Sequence, residues 1–347
     1  MDFPVALKFA EAVPTQDRLQ RSLRELRMSV IDRCNFRCTY CMPADSLQGR
    51  GVFLPLQKLL TDHEIRDLVQ AFVELGVRKL RLTGGEPLVR PGLPMLIEQL
   101  AGIPGLEDIA LTTNGVMLPR LAQDLHDAGL GRITVSLDTL DPEVLLKMSG
   151  GKAKLKDILD GIAAAESAGF QSLKINTVVQ RGVNDHTVMD LLAHFRGTPH
   201  RVRLIEFMDV GNSNHWSPGD VVPSAEWVER IDERWPLRPV GRTRKSETAR
   251  RYEYVDGQGE IGFISSITQP FCGGCTRARV TADGLFYTCL FSNHGTNLMP
   301  LLRQRDDPEA LRKRITEVWT NREDRYSELR GVSKGKRPKV EMYRLGG

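Results

Sequence analysis

The sequence predicts an α/β fold: a partial (βα)6 barrel of the TIM type, extended at its C-terminal side by a segment with its own cysteine group. Three observations lead there. Strand and helix patterns alternate six times between about residues 26 and 207. Short sequences rich in Gly, Asn and Asp follow the strands. All six cysteines fall into two groups of three, one after the first strand and one beyond the alternation.

LRMSVI (26–31) reads as the first strand. TDHEIRDLVQAFVELG (61–76) reads as a helix with Thr61 as N-cap and Gly76 as its stop. The next strands are KLRLT (79–83), IALTT (109–113), RITVSL (132–137), SLKINTVV (172–179) and RVRLIEF (201–207). Helical patterns between them cover about 92–101, 118–128, 155–168 and 185–196. Parallel strands need helical crossovers of this kind, and six units in place of eight leave the barrel open. Reactive groups in such folds gather where strands end. GGEP (84–87), TNG (113–115), SLDT (136–139) and FMDVG (207–211) stand at those ends. The rhythm breaks after residue 212. GRTRKSETARRYEYVDGQG (241–259) reads as a loop or hairpin, and residues 261–291 carry the second cysteine group. A helical pattern returns at 308–320, and GVSKGKRPKVEMYRLGG (331–347) reads as a mobile tail. The expected division is an N-terminal extension without a reading (1–22), the barrel (23–212) and a C-terminal cluster-binding extension (213–347).

At 41% hydrophobic and 27% charged residues the composition is that of a globular protein, neither disordered nor fibrous. No apolar run approaches the roughly 20 residues of a membrane helix. The N-terminus lacks the apolar core and small-residue cleavage site of a secretory signal. A cytoplasmic protein without a membrane partner is therefore expected. A formal net charge of +4 is mild for a generic nucleic-acid binder, so no nucleic-acid partner is expected. A few cations facing an anionic small molecule account for it equally well.

Cys34, Cys38 and Cys41 are spaced C-x3-C-x2-C; Cys272, Cys275 and Cys289 are spaced C-x2-C-x13-C. Disulfides do not suit a cytoplasmic chain, and thiolate ligation of metal does. An ordinary iron–sulfur cubane takes four cysteines, so three leave one iron open. A zinc site at the first group would lack a nearby fourth ligand, His63 being the nearest histidine. At the second group, ADG (282–284) reads as a turn that returns Cys289 towards the first pair. Either a three-ligand cubane or a zinc knuckle completed by His294 fits there.

Arg27, Arg81 and Lys174 each sit inside a strand pattern between apolar neighbours. Alternation puts them on the opposite face. An unpaired charge lining a barrel is expensive, and an anionic ligand would offset it. Arg277 and Arg279 share a face by the same period, and forked guanidiniums suit phosphate oxygens. Each of these alone also reads as a salt bridge or an exposed side chain. No Walker A sequence is present, so a nucleotide would be held by scattered side chains.

CNFRCTYCMP (34–43) and GGEP (84–87) together resemble the signature of the radical S-adenosylmethionine (SAM) superfamily. FCGGCTRARVTADGLFYTCLF (271–291) resembles the C-terminal motif of the GTP 3′,8-cyclase family, with Thr276 where Asn or Asp is expected. The resemblance runs over roughly residues 22–347. It implies a radical SAM core and two [4Fe–4S] clusters, on Cys34, Cys38 and Cys41, the catalytic ligands, and on Cys272, Cys275 and Cys289. It implies SAM contacts at Tyr40, Gly85, Ser136 and Met208. It implies GTP contacts at Arg27, Arg81, Thr112, Lys174, Arg277, Ala278 and Arg279.

The implied reaction begins with reductive cleavage of SAM and abstraction of the 3′ hydrogen of GTP. The carbon radical attacks C8 of guanine, and reduction and protonation give 3′,8-cyclo-7,8-dihydro-GTP, the first step of molybdenum cofactor biosynthesis. The second cluster holds guanine in this picture. Implied partners are an electron donor such as flavodoxin or ferredoxin and the next enzyme, cyclic pyranopterin monophosphate synthase, with the chain a monomer or homodimer. Gly346–Gly347 resembles the family's double-glycine terminus, which reaches into the active site; read alone it is a frayed end. Two other readings compete. One is a radical SAM maturase with an auxiliary cluster acting on a peptide, a class that usually carries more C-terminal cysteines. The other is a metal-binding nucleic-acid module, against which the mild charge and the lack of a basic–aromatic stripe count.

Overall fold

The computed structural model describes residues 14–43, 53–304, 307–330 and 339–346. The six expected strands are β1 (Glu25–Ser29), β2 (Lys79–Thr83), β3 (Asp108–Thr113), β4 (Arg132–Ser136), β5 (Lys174–Val179) and β6 (Arg201–Glu206). They pair in sequence order, all parallel. Leu26, Met28, Leu80, Leu82, Ile175 and Val202 join one buried cluster with the helices, and the residues between them are left to face the other side.

Five helices cross over between the strands as read: α1 (Asp62–Glu74), α2 (Leu93–Ala101), α3 (Leu118–Asp127), α5 (Leu155–Ser167) and α6 (Val188–Phe195). Thr61 caps α1 in a reciprocal box: its hydroxyl accepts from the Glu64 amide at 3.2 Å, and the Glu64 carboxylate accepts from the Thr61 amide at 2.8 Å. One helix went unread, α4 (Pro142–Met148). It is short, and its main signal is Asp141, whose side chain accepts from the Glu143 and Val144 amides. The last crossover starts later than expected because Asp185–Thr187 form a 3-10 turn.

Beyond residue 212 the chain is more regular than the sequence suggested. It forms α7 (Ser224–Arg234), β7 (Leu237–Val240), β8 (Arg250–Tyr254), β9 (Glu260–Ile264), β10 (Arg277–Val280), β11 (Leu285–Tyr287), β12 (Thr296–Asn297), α8 (Met299–Arg303), α9 (Pro308–Thr320) and α10 (Met342–Leu345). The strand order is β12-β11-β10-β1-β2-β3-β4-β5-β6-β9-β8-β7. β10 lies parallel to β1, and β9 parallel to β6. The extension therefore adds strands to both edges of the barrel sheet. Within 241–259, the polar stretch 241–249 is loop, and β8 pairs antiparallel with β7 and β9. The hairpin β10–β11 turns at Gly284, where φ is +79°.

The expectation of a mobile tail is overturned for residues 339–346. α10 packs into the fold, and Leu345 is fully buried. Residues 331–338 and Gly347, like 1–13 of the N-terminal extension, lie outside the described residues. Among those described, no helix is long and apolar enough to cross a membrane. Removing the cap in Thr61→Ala should cost about 1 kcal/mol, read as a lowered denaturation midpoint in urea with the native circular dichroism spectrum unchanged.

Candidate active site

β1 runs into the first cysteine loop, and the loop after β2 lies against it. The Gly85 amide donates to the Ile31 carbonyl and the Glu86 amide to the Arg33 carbonyl, both at 2.8 Å. A Cβ on Gly84 or Gly85 would overlap those same carbonyls. Glycine is needed here for close approach, since neither residue has a positive φ. From the other side, the Arg37 and Thr39 amides donate to the Ser149 and Met148 carbonyls at 3.1 and 2.9 Å. Inside the loop, Cys34 Sγ accepts from the Phe36 amide at 3.3 Å, and Cys38 O accepts from the Cys41 and Met42 amides. Burial pushes all three thiols up, Cys34 to about 11. A metal centre binding here must displace protons.

Two buried carboxyls brace this region. Glu86 accepts from the Thr113 hydroxyl and the Asn114 amide at 2.7 Å and from the Leu88 amide at 3.0 Å; burial pushes it up to about 7. Asp138 accepts from the Tyr40 hydroxyl at 2.7 Å and the Val178 amide at 2.9 Å; burial pushes it up to about 6. Tyr40 is thereby fixed between two cysteines.

The second cysteine loop precedes β10. Burial alone would raise the Cys275 thiol, but the Arg277 guanidinium, with Arg322 behind it, more than reverses this and holds it at about 6. Arg277 Nε donates to Cys275 Sγ at 3.3 Å, and the Phe291 amide to Cys289 Sγ at 3.5 Å. Sulfurs that accept N–H bonds at both loops match the donor chemistry of cluster thiolates. Among the described residues no three His, Cys, Asp or Glu side chains gather as ligands of one metal ion would; this holds for both cysteine groups alike and does not separate a cluster from the zinc alternative with His294.

Because β10 is parallel to β1, the second loop sits where these strands begin and the first where they end. A five-residue strand is roughly 16 Å long, and that length separates the loops. A cavity of about 940 Å³ connects them. All six cysteines line it, and so do Tyr40, Gly85, Ser136, Met208, Arg27, Arg81, Thr112, Lys174, Arg277 and Arg279. Ala278 does not: its side chain is 0% exposed and packs in the core.

The sequence reading missed Glu25, Arg132, Arg201 and Arg203, which also line the cavity. Burial would raise Glu25, but Arg27, Arg81 and Arg277 hold it at about 2. Burial and the neighbouring cations push Arg81 down to about 10, Arg203 to about 9 and Lys174 to about 7. Arg81 Nη1 donates to Thr112 and Thr134 hydroxyls at 3.2 and 3.3 Å. Arg203 Nε is buried without a hydrogen-bond partner among the described residues. The alternation that marked Arg27 also runs through Arg201–Val202–Arg203–Leu204 and would have found Arg203.

The C-terminal segment enters the same space. Arg279 donates to the carbonyls of Leu345 (3.2 Å) and Gly346. Gly346 has φ +69°, and a Cβ there would overlap the Thr83 side chain at the end of β2.

Residues 28–195 match the model of the Radical SAM superfamily, and residues 200–328 that of Molybdenum Cofactor Synthesis C. The GTP 3′,8-cyclase of Xanthomonas campestris pv. campestris (strain 8004) is 52% identical over 336 residues, 97% of this chain and 98% of its own. This chain belongs to the GTP 3′,8-cyclase family. Family members from Acidothermus cellulolyticus, at 50% identity over 92% of this chain and 89% of their own, and Staphylococcus aureus (strain Mu3), at 42% over 96% and 98%, agree. The solved structure of Streptococcus suis SuiB bound to S-adenosylmethionine has the same fold, with a TM-score of 0.60 at 13% identity over 90% of this chain and 69% of its own.

Gly85→Ala should force the Arg33 carbonyl aside, an overpacking cost of about 1–3 kcal/mol. Weaker SAM binding in equilibrium dialysis, with the second cysteine loop unaffected, is the expected outcome.

Proposed function

We infer that the chain is a radical SAM GTP 3′,8-cyclase. It converts GTP to (8S)-3′,8-cyclo-7,8-dihydroguanosine 5′-triphosphate, the first step of molybdenum cofactor biosynthesis. The observation that carries this reading is one cavity lined by both three-cysteine groups and by strand-borne cations.

Cys34, Cys38 and Cys41 would hold a [4Fe–4S] cluster that, with SAM bound, would supply a 5′-deoxyadenosyl radical. The residues around it do the positioning. The Gly85 backbone, Ser136, Met208 and the ring of Tyr40, locked by Asp138, form the SAM side of the cavity. Cys272, Cys275 and Cys289 hold a second [4Fe–4S] cluster, where Arg277 favours the thiolate of Cys275, and guanine lies on that side. Arg27, Arg81, Thr112, Lys174, Arg277 and Arg279, joined by Arg203, hold GTP; Ala278 offers at most its backbone. Anchoring the charged end of the nucleotide fixes the ribose near the adenosyl carbon. Phe36, Ile205 and Met208 present apolar surface to the cavity and exclude water from the reacting atoms.

An electron donor such as flavodoxin or ferredoxin, a cytoplasmic location, and hand-over to cyclic pyranopterin monophosphate synthase complete the proposal. So does a division of the chain at 22/23 and 212/213. A peptide substrate would leave the buried cations unmatched.

Serine at Cys34, Cys38 or Cys41 should abolish 5′-deoxyadenosine formation, assayed by chromatography after anaerobic incubation with SAM and reductant. Cys272→Ser should halve the iron, from about eight to about four atoms per chain, while 5′-deoxyadenosine still forms. Lys174 gives a pH test. With a folded-state value of about 7 in the free protein, it is largely neutral at pH 8. A triphosphate beside it favours the charged form and raises its pKa, so binding takes up a proton. GTP affinity should fall as pH rises above 7. At pH 8, where the terminal phosphate is ionised, calorimetric binding enthalpy should vary with the ionisation enthalpy of the buffer, and Lys174→Met should remove that variation.

A further inference from the structure

Asp17, Arg21 and Arg322 form a charged triad with almost no exposure: their side chains are 0%, 2% and 1% accessible. Asp17 Oδ2 accepts from Arg21 Nε at 2.6 Å and from Arg322 Nη1 at 3.2 Å. Its Oδ1 accepts from the amides of Leu19 and Arg21 at 2.9 and 2.8 Å. The two guanidiniums then reach the second cysteine loop from behind. Arg21 Nη1 donates to the Cys272 carbonyl at 3.0 Å and to the Asp324 carbonyl at 2.7 Å. Arg322 Nη1 donates to the Cys275 carbonyl at 2.8 Å. Asp324, 3.5 Å from Arg322 Nε, accepts from the hydroxyl of Thr288, the neighbour of Cys289, at 2.6 Å. Trp319 closes the back of the group, donating to the Arg21 carbonyl at 3.2 Å, with Arg322 stacked 4.5 Å over its ring.

The Cys272 carbonyl is thus tied directly, the Cys275 carbonyl through Arg322, and Thr288 beside Cys289 through Asp324, to a segment near the N-terminus for which the sequence offered no reading. We propose that Asp17, Arg21 and Arg322 are positioning residues for the second cluster, and that holding its cysteine loop is the task of residues 14–22. The proposal rests on the reading that Cys272, Cys275 and Cys289 ligate an iron–sulfur cluster.

Two physical arguments support it. A buried ion pair is seldom more stable than an apolar replacement of the same volume, so a charged triad here calls for a use other than packing. Its charges suit one: Asp17 and Asp324 balance Arg21 and Arg322, so removing one guanidinium leaves excess negative charge behind a loop of thiolates, and added negative charge near an iron–sulfur centre disfavours its reduced state. Arg21 Nη2 and Arg322 Nε, both buried, have no hydrogen-bond partner among the described residues, so the guanidiniums are not saturated by each other's company.

The test compares the reconstituted holoenzyme with Arg322→Met, Arg322→Lys and the double variant Asp17→Asn/Arg21→Met. Readouts are electron paramagnetic resonance of each cluster, redox titration of the second, and loss of iron to a chelator. 5′-Deoxyadenosine formation reports that the barrel and first cluster are intact. The expected result is that Arg322→Met still cleaves SAM while the second cluster's midpoint moves to more negative potential, and that Arg322→Lys restores it towards the parent value. The double variant leaves net charge unchanged and should lose second-cluster iron about tenfold faster. Parent-like midpoints and chelation rates in all variants would overturn the proposal. Loss of SAM cleavage in both Arg322→Met and the double variant would also overturn it, by assigning the triad to folding of the whole chain. A parent protein holding only about four irons would instead sink the two-cluster reading beneath it, a distinguishable failure.

Discussion

Positive charge confined within the curve of a parallel sheet is the condition to which the rest of this molecule answers. Arg27, Arg81, Lys174, Arg203, Arg277 and Arg279 face one cavity from strands β1, β2, β5, β6 and β10, with the Glu25 carboxylate shared between Arg27 and Arg81. Buried like charges repel, and desolvation of each is costly. The lowered values of Arg81, Lys174 and Arg203 express that cost. Among the described residues Glu25 offsets only part of the belt's charge, and a polyanionic ligand would offset the rest. Affinity for such a ligand is therefore built into the apo fold as unrelieved repulsion, without a glycine-rich phosphate loop.

The cysteine loops at the two ends of β1 and β10 are stabilised by different means. The first is set by backbone contact: GGEP on one side and Gly150 on the other leave no space for a Cβ. Its thiols are half-buried, and desolvation raises all three. The second is set by charge, with Arg277 on a sulfur and Arg21 and Arg322 on carbonyls. The first loop carries one guanidinium of its own, Arg37 on the Cys34 and Phe36 carbonyls at 2.7 Å, and the second carries three.

Much of this was legible because it depends on short-range rules. Six strands and five of their helices follow from periodicity and caps, and Thr61 does what its spacing with Glu64 implies. The face assignment of Arg27, Arg81 and Lys174 required only alternation, and Ala278, between two cavity-lining arginines, falls on the core side by the same rule. Other features were not legible. That β10 lies beside β1 is a contact between segments about 250 residues apart, and no local pattern encodes it. The docking of residues 339–346 depends on Arg279 and Thr83 meeting them in space. The Asp17 triad looks in sequence like any scatter of surface charge. Glu25 and Arg203 were available to the alternation rule and were overlooked.

The placement of β9 and β10 also bears on how the molecule forms. The six central strands can assemble from near neighbours, but both outer strands of that unit, β1 and β6, wait for partners that come much later in the chain. Contacts of such sequence separation slow folding. Meanwhile the unpaired edges are open to strands of other molecules. An aggregation hazard thus belongs to the interval between synthesis of the barrel units and arrival of residues 260–280, and the rate at which that interval closes governs how much soluble protein a cell obtains.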